Sequence, residues 1–190
     1  EKATWTVLDG YQFDATFEQA LRRVSPGLSL LSIDDKMRDT SADIFVLPSS
    51  GAPRADRNPS PAKVLAGWKY ALLRRDFRSR RHSEHPIRGR VLVMLGGTDA
   101  KDKAAEIAGI LAGSAARHGW DVQVVSRAAL AAPVSRLEPR SDIGPVIAVA
   151  DAGVTTASTV ALEFCARGVP TVLLVVAENQ RATAAALVAA

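Results

Sequence analysis

Residues 91–111 read VLVMLGGTDAKDKAAEIAGIL, and this stretch decides the fold. Val91 to Leu95 is an unbroken apolar run that stops at Gly96-Gly97. So short a run, closed by glycines, predicts a buried strand. From about Lys101 to Arg117 the apolar residues return at helical spacing, which predicts a helix. Glycines between a strand and a helix let backbone N–H groups approach an anion, and the helix N-terminus adds partial positive charge. A tight turn needing positive φ accounts for the same two glycines equally well. The pattern is neither GxGxxG nor GxxxxGK[ST], so neither the dinucleotide nor the Walker reading applies.

Towards the C-terminus the alternation continues. DVQVVS, from Asp121, predicts a strand, and a loop with Pro133 and Pro139 follows. A short helix is expected near Asp142–Ala150, with Pro145 in its first turn, where proline is tolerated. AGVTT (152–156) predicts a strand, and a helix over Ser158–Arg167 is stopped by Gly168. TVLLVV (171–176) predicts another strand before a last helix from about Asn179. Strands this apolar, alternating with helices, mean an α/β fold with a parallel sheet covered on both faces.

Towards the N-terminus the plan is similar. Trp5 to Leu8 predicts a buried strand, with a turn at Asp9-Gly10. A helix over about Asp14–Val24 places Phe17, Ala20, Leu21 and Val24 on one face, and Pro26-Gly27 stops it. LSLLSIDD (28–35) and Ile44 to Leu47 predict two further strands. GAPRADRNPSPAK (51–63) reads as a polar loop and KYALLRRDF (69–77) as a short apolar segment. Arg74 to Arg90 holds seven arginines, two histidines and one proline without apolar period, which marks a domain boundary. The expected organisation is a first domain over 1–75, a linker over 76–89 and a second domain over 90–190.

The 190 residues are 47% hydrophobic and 23% charged, which suits one or two small globular domains. A net charge of +4, 5% aromatic residues and no reading motif argue against nucleic acid as a partner. The basic run is expected to be a solvated linker. One cysteine excludes an internal disulfide and points to a reducing, cytoplasmic compartment. The longest strongly apolar run, VPTVLLVVA from Val169, is well short of the roughly 20 residues a membrane span needs. The chain begins at Glu1, not Met, and ends in a helical pattern without a stop signal. A piece of a longer protein is therefore expected.

Ligands of parallel α/β sheets bind at the carboxyl ends of strands. Besides Gly96, Gly97 and Thr98, two such ends stand out. In TTASTVALE (155–163), Ser158 and Thr159 sit where a strand turns into a helix, as phosphate ligands or as a simple N-cap. Glu163 lies about a turn inside, where a carboxylate can accept both hydrogen bonds of a ribose diol or stand as an ordinary solvated helix glutamate. In VVAENQ (175–180), Asn179 and Gln180 offer amide donors and acceptors suited to sugar hydroxyls, although Asn179 also suits a cap. In the first half, Asp9 and Tyr11 end one strand and Asp34-Asp35 end the next. Turn chemistry and capping compete there with acid–base or metal roles. His82 and His85 lack a third ligand, so no metal site or cofactor is expected. Cys165, among apolar neighbours, is expected to be a buried thiol with no nucleophilic role.

The ordered set VLDGYQFD, LLSIDD, KYALLRRDF, MLGGTDAKD, ASTVALEFCARGVP and AENQ resembles the pseudaminic acid pathway hydrolase family over nearly the whole chain. Members cleave UDP-2,4-diacetamido-2,4,6-trideoxy-β-L-altropyranose to free sugar and UDP, and are related to the glycosyltransferase that makes lipid II. The resemblance implies a GT-B architecture, two Rossmann-like domains with the UDP-sugar in the cleft, the first domain incomplete here. It implies that Gly96 and Gly97 lie beside the diphosphate, with Thr98, Ser158 and Thr159 facing the nucleotide. Glu163, Asn179 and Gln180 become substrate contacts, and Asp9 and Tyr11 possible first-domain contacts. The implied chemistry is inverting attack of water on the anomeric carbon by a monomeric enzyme without metal. Three departures stand out. The family's Gly-x-Gly-His turn, which carries the histidine thought to be the base, is absent, and none of His82, His85 or His118 has a matching context. Many relatives have two glycines where this chain has Ala157-Ser158, and an asparagine where it has Pro48-Ser49-Ser50. A transferase on the same scaffold and a non-catalytic nucleotide-sugar module are the alternatives.

Overall fold

The computed structural model describes residues 3–48, 62–77, 89–96, 103–130 and 132–189. The chain divides into two units, Glu1–Leu72 and Leu73–Ala190.

In the first unit, β1 (Trp5–Asp9), α1 (Ala15–Val24), β2 (Ser29–Ile33), β3 (Ile44–Leu47) and β4 (Lys63–Ala66) follow in chain order. The strands form one parallel sheet in the order β1-β2-β3-β4. Strand β4 was not expected: it is short, half-exposed and entered from a proline-rich segment. KYALLRRDF, read as one apolar segment, instead holds two single 3-10 turns, Trp68–Tyr70 and Arg75–Phe77. The second of these belongs to the second unit.

Period-two alternation gives this sheet two faces. One carries Leu8, Leu30, Ser32, Phe45 and Leu47, all buried. Register places Trp5, Val7, Leu31, Ile33, Ile44 and Val46 on the other. Trp5 and Val7 are 49% and 60% exposed, so β1 is not the buried strand expected. Among the described residues it is an edge, bonded only to β2.

Helix α1 starts at Asp14, whose side chain accepts a hydrogen bond from the Phe17 N–H at 2.8 Å. The apolar residues share a face, as the spacing predicts, but that face looks outward. Phe17 is 42% and Val24 78% exposed, while Glu18 is the helix's fully buried residue. Its carboxylate accepts from the Ser32 hydroxyl (2.5 Å), the Thr40 hydroxyl (2.7 Å), the Ser41 N–H (2.6 Å) and Arg38 Nη2 (3.0 Å). Arg38 also bonds Asp34 (2.8 Å) and the Phe13 carbonyl (2.7 Å). This network ties α1 to the segment between β2 and β3. Four donors offset the cost of burying the charge, so hydrogen bonds and not apolar contact set which side of α1 faces in.

In the second unit, β5 (Arg90–Met94), α2 (Lys103–His118), β6 (Asp121–Val125), β7 (Ser135–Leu137), α3 (Gly144–Ala148), β8 (Ala152–Thr156), α4 (Thr159–Arg167), β9 (Thr171–Leu174) and α5 (Gln180–Val188) follow in order. All strands are parallel, in the order β7-β6-β5-β8-β9. Only β7, three residues inside the expected proline loop, has no counterpart in the sequence reading. Strand β5 is central, and its alternation builds both cores. Leu92 and Met94 pack with Ile143, Ile147, Val160 and Phe164 under α3 and α4. Val93 and Leu95 pack with Ala104, Ala108, Val122 and Val124 under α2. Helix α4 lies so close to β8 that a Cβ at Gly153 would fall 2.5 Å from the Phe164 ring. At the other end of α4, Gly168 (φ 68°) takes the left-handed C-cap that favours glycine.

Cys165, expected to be buried, is exposed. Partial desolvation still holds its thiol above the ordinary value, so thiolate character is low.

Candidate functional site

In the second unit the chain runs from β5 outward through β6 to β7, then returns to place β8 on the other side of β5. The β5/β8 boundary is therefore a topological switch point, the place at the carboxyl ends of the strands where open α/β sheets bind ligands. The two loops are MLGG and TTAS, both singled out from sequence.

Met94 pairs with Thr155 across this boundary. The Thr155 hydroxyl, fully buried, donates to the Met94 carbonyl at 2.5 Å and fastens the strand ends together. Gly96 follows with φ 96°, a conformation that disfavours side chains, and among the described residues a Cβ there would meet nothing within 4 Å. The glycine is thus required by backbone geometry, and no described residue fills the space beside it. Gly97 and Thr98 lie outside the described residues, as do His82 and His85.

Ser158 is the N-cap residue of α4, but its side chain does not cap the helix. Its hydroxyl lies 3.1 Å from the Thr156 hydroxyl instead. The first N–H groups of α4 therefore receive no side-chain acceptor from the cap, and the helix end keeps its partial positive charge for another acceptor. Thr159 is the first residue of the helix.

Glu163 is not a solvated helix residue: it is 4% exposed. Arg74 grips it with two parallel bonds, Nε to Oε1 at 2.8 Å and Nη2 to Oε2 at 2.7 Å. Arg74 Nη1 donates to the Ser141 carbonyl at 2.8 Å. Burial pushes the Glu163 carboxyl up and Asp76 adds to this. Arg74 opposes both, and the balance lies above the ordinary glutamate value. Arg74 was missed in the sequence because it opens the basic run and looks like one more linker charge. The apolar residue three positions on, Phe77, was the available signal, since it is buried in the core under α3 and α4.

Beyond β8, the β9 strand ends at Leu174, earlier than TVLLVV suggests. The Val176 N–H donates to the Gln180 side-chain carbonyl at 2.9 Å, which closes the loop onto α5. Asn179 is the N-cap position of α5 but makes no side-chain cap bond. Asn179 is exposed, and it and Gln180 both follow β9 at the same carboxyl end of the sheet as Gly96 and Ser158. His118 lies at the opposite, amino end, stacked on Trp120 at 5.2 Å.

In the first unit Asp9 and Tyr11 meet Gly10, Ile33, Asp34 and Asp35 around a shallow pocket of about 150 Å³ at the carboxyl ends of β1 and β2. The Tyr11 hydroxyl donates to Asp35 at 2.5 Å. That bond, burial and the charges of Asp35, Asp34 and Asp9 push the phenol up to about 12. Tyr11 is therefore a hydrogen-bond donor at neutral pH. Among the described residues no group of three or more His, Cys, Asp or Glu is placed to hold a metal ion. Among them, too, no helix is long and apolar enough to cross a membrane.

No family model matches the chain. Over 111 residues, 57% of its length, it is 26% identical to the UDP-2,4-diacetamido-2,4,6-trideoxy-beta-L-altropyranose hydrolase of Campylobacter jejuni subsp. jejuni serotype O:2. It spans 40% of that protein. Among solved structures, the crystallised glycotransferase of kitacinnamycin matches with a TM-score of 0.64 at 15% identity, over 98% of this chain and 61% of that one. The fold class is thus α/β of the glycosyltransferase GT-B type, with two parallel sheets, as expected from sequence. In sequence the chain is similar to a UDP-sugar hydrolase, and in fold to a glycosyltransferase.

Proposed function

We propose that the second unit binds a UDP-linked sugar at the β5/β8 switch point, and that the whole protein hydrolyses it to free sugar and UDP in nonulosonic acid biosynthesis. The observation that carries this reading is the pairing of a positive-φ glycine after β5 with an α4 N-terminus left uncapped by Ser158 after β8. Backbone amides at both loops suit a diphosphate, and a developing UDP anion gains most from donors already in place. In this reading Gly96, Gly97 and Thr98 flank the diphosphate on one side and Ser158 and Thr159 on the other. Glu163 accepts from the ribose diol or the sugar, and Asn179 and Gln180 bind sugar hydroxyls. The residue that activates water is not assigned to this chain.

Calorimetry with UDP tests the site directly. Gly96→Val forces a β-branched residue into positive φ and is expected to weaken UDP binding about ten-fold or more, roughly 1.4 kcal/mol. An absence of heat with the unaltered chain would sink the reading. The same fold also serves transfer to an acceptor. Product formation that needs an acceptor, with slow hydrolysis without one, would replace hydrolysis by transfer in the complete protein.

A further inference from the structure

We propose that Arg74 is a positioning residue of the nucleotide-sugar site, holding the Glu163 carboxylate ionised and fixed in one orientation. This rests on the reading above, in which Glu163 contacts the ligand. Arg74 belongs to none of the strands or helices that form the site. It sits just before the 3-10 turn Arg75–Phe77, yet three separate contacts fix its guanidinium. Two of its nitrogens hold both Glu163 oxygens, the third bonds the Ser141 carbonyl, and the Phe77 ring lies 5.6 Å beneath. The turn is itself anchored: Phe77 is buried, the Asp76 carbonyl accepts from Arg167 Nη2, and the Arg167 guanidinium lies 5.2 Å from the Phe77 ring centroid. Glu163 is buried while the Arg74 side chain is 38% exposed, so the guanidinium is the part of this pair that meets solvent.

A buried carboxylate without a partner takes up a proton. The charges facing Glu163 are few. Helix α4 packs on α3, β8, β9 and the Arg75–Phe77 turn. The first three carry no titratable side chain. The turn brings Arg75 and Asp76, and α4 itself brings Arg167 one turn on. Arg140 and Asp142 pair with each other at the approach to α3. Arg74 is the cation bonded to the carboxylate. A bidentate guanidinium uses one lone pair on each oxygen and leaves a second on each for ligand hydroxyls.

The test is UDP binding by calorimetry between pH 7 and 8.5, above the second ionisation of a phosphate near 6. With Arg74→Gln the buried Glu163 carboxyl loses the cation that opposes burial, so its protonated form is favoured further and it accepts poorly. Affinity is expected to fall about ten-fold at pH 7 and to recover as pH rises, since the ionised form returns above the raised value. The unaltered chain, Glu163→Gln and the double variant are expected to give flat profiles. Arg74→Lys, which keeps the charge and guards against a folding defect in Arg74→Gln, is expected to restore the flat profile. An Arg74→Gln affinity that is unchanged, or lowered in parallel with the unaltered chain at every pH, overturns the proposal, as does a sloping Arg74→Lys profile. If Glu163→Gln binds UDP like the unaltered chain, the Arg74 role falls while the UDP site at Gly96 stands. If the unaltered chain binds no UDP, both fall.

Discussion

Glu18→Ala is expected to destabilise the first unit by about 3–5 kcal/mol, the range for removing one partner of a buried ion pair. Alanine removes the acceptor of four donors at once: the Ser32 and Thr40 hydroxyls, the Ser41 N–H and one arm of Arg38. That loss is a large share of the 5–15 kcal/mol that holds a typical domain together. Hydrogen exchange resolves the effect by unit: amides of α1, β2 and β3 should lose protection while those of β5, β6 and β8 keep theirs. Unchanged protection in α1 would refute the assignment. The network also carries a pH signature. Burial pushes the Glu18 carboxyl up, but the hydrogen bonds from Ser32, Thr40, Ser41 and Arg38 outweigh it and hold the carboxyl below its ordinary value. A depressed value means stability present above the unfolded value, about 4.3, and lost as pH falls through the folded one. Glu18→Gln, which keeps an acceptor but not the charge, should remove this part of the acid sensitivity.

Phe164→Ala is expected to cost the second unit about 3–5 kcal/mol, the range for a buried aromatic cut to alanine. The ring is fully buried among Leu92, Ile143, Ile147 and Val160, with Gly153 against its edge. Urea unfolding should show the loss as a lower midpoint with the slope retained. Phe164→Leu, which keeps much of the volume, should cost less than half as much. An alanine variant within 1 kcal/mol of the unaltered chain, on the scale where core truncations cost several, would mean that the site collapses freely.

These two residues mark the boundary of what a sequence reader can see. Phe164 lies in a run whose helix, flanking strands and terminating Gly168 were all legible, because the strands are fully apolar and the helices are punctuated by glycine. The switch-point loops were legible for the same reason. Glu18 was not, since its burial depends on Ser32, Thr40 and Arg38, distant in sequence and unremarkable singly. The apolar face of α1 was read correctly as a face, but periodicity does not say which way a face points. Strands β4 and β7 escaped because short edge strands with polar residues carry little periodicity. Arg74 escaped because a run of arginines hides the one that is gripped. The carboxylate it grips stood out by its place in the helix, but its burial and its ion pair were not expected.

The contact between Gly153 and Phe164 has a bearing on descent. With the Phe164 ring 2.5 Å from where a methyl group would stand, neither position can drift alone. A lineage that acquires a side chain at 153 must trim 164 or lift the helix from its sheet, and lifting moves the amides at Ser158. In a library randomised at both positions, folded survivors with alanine or serine at 153 are expected to carry leucine, valine or alanine at 164. Free assortment of the two would show that the helix can retreat. The two positions constrain each other, and the N-terminal end of α4 moves with them.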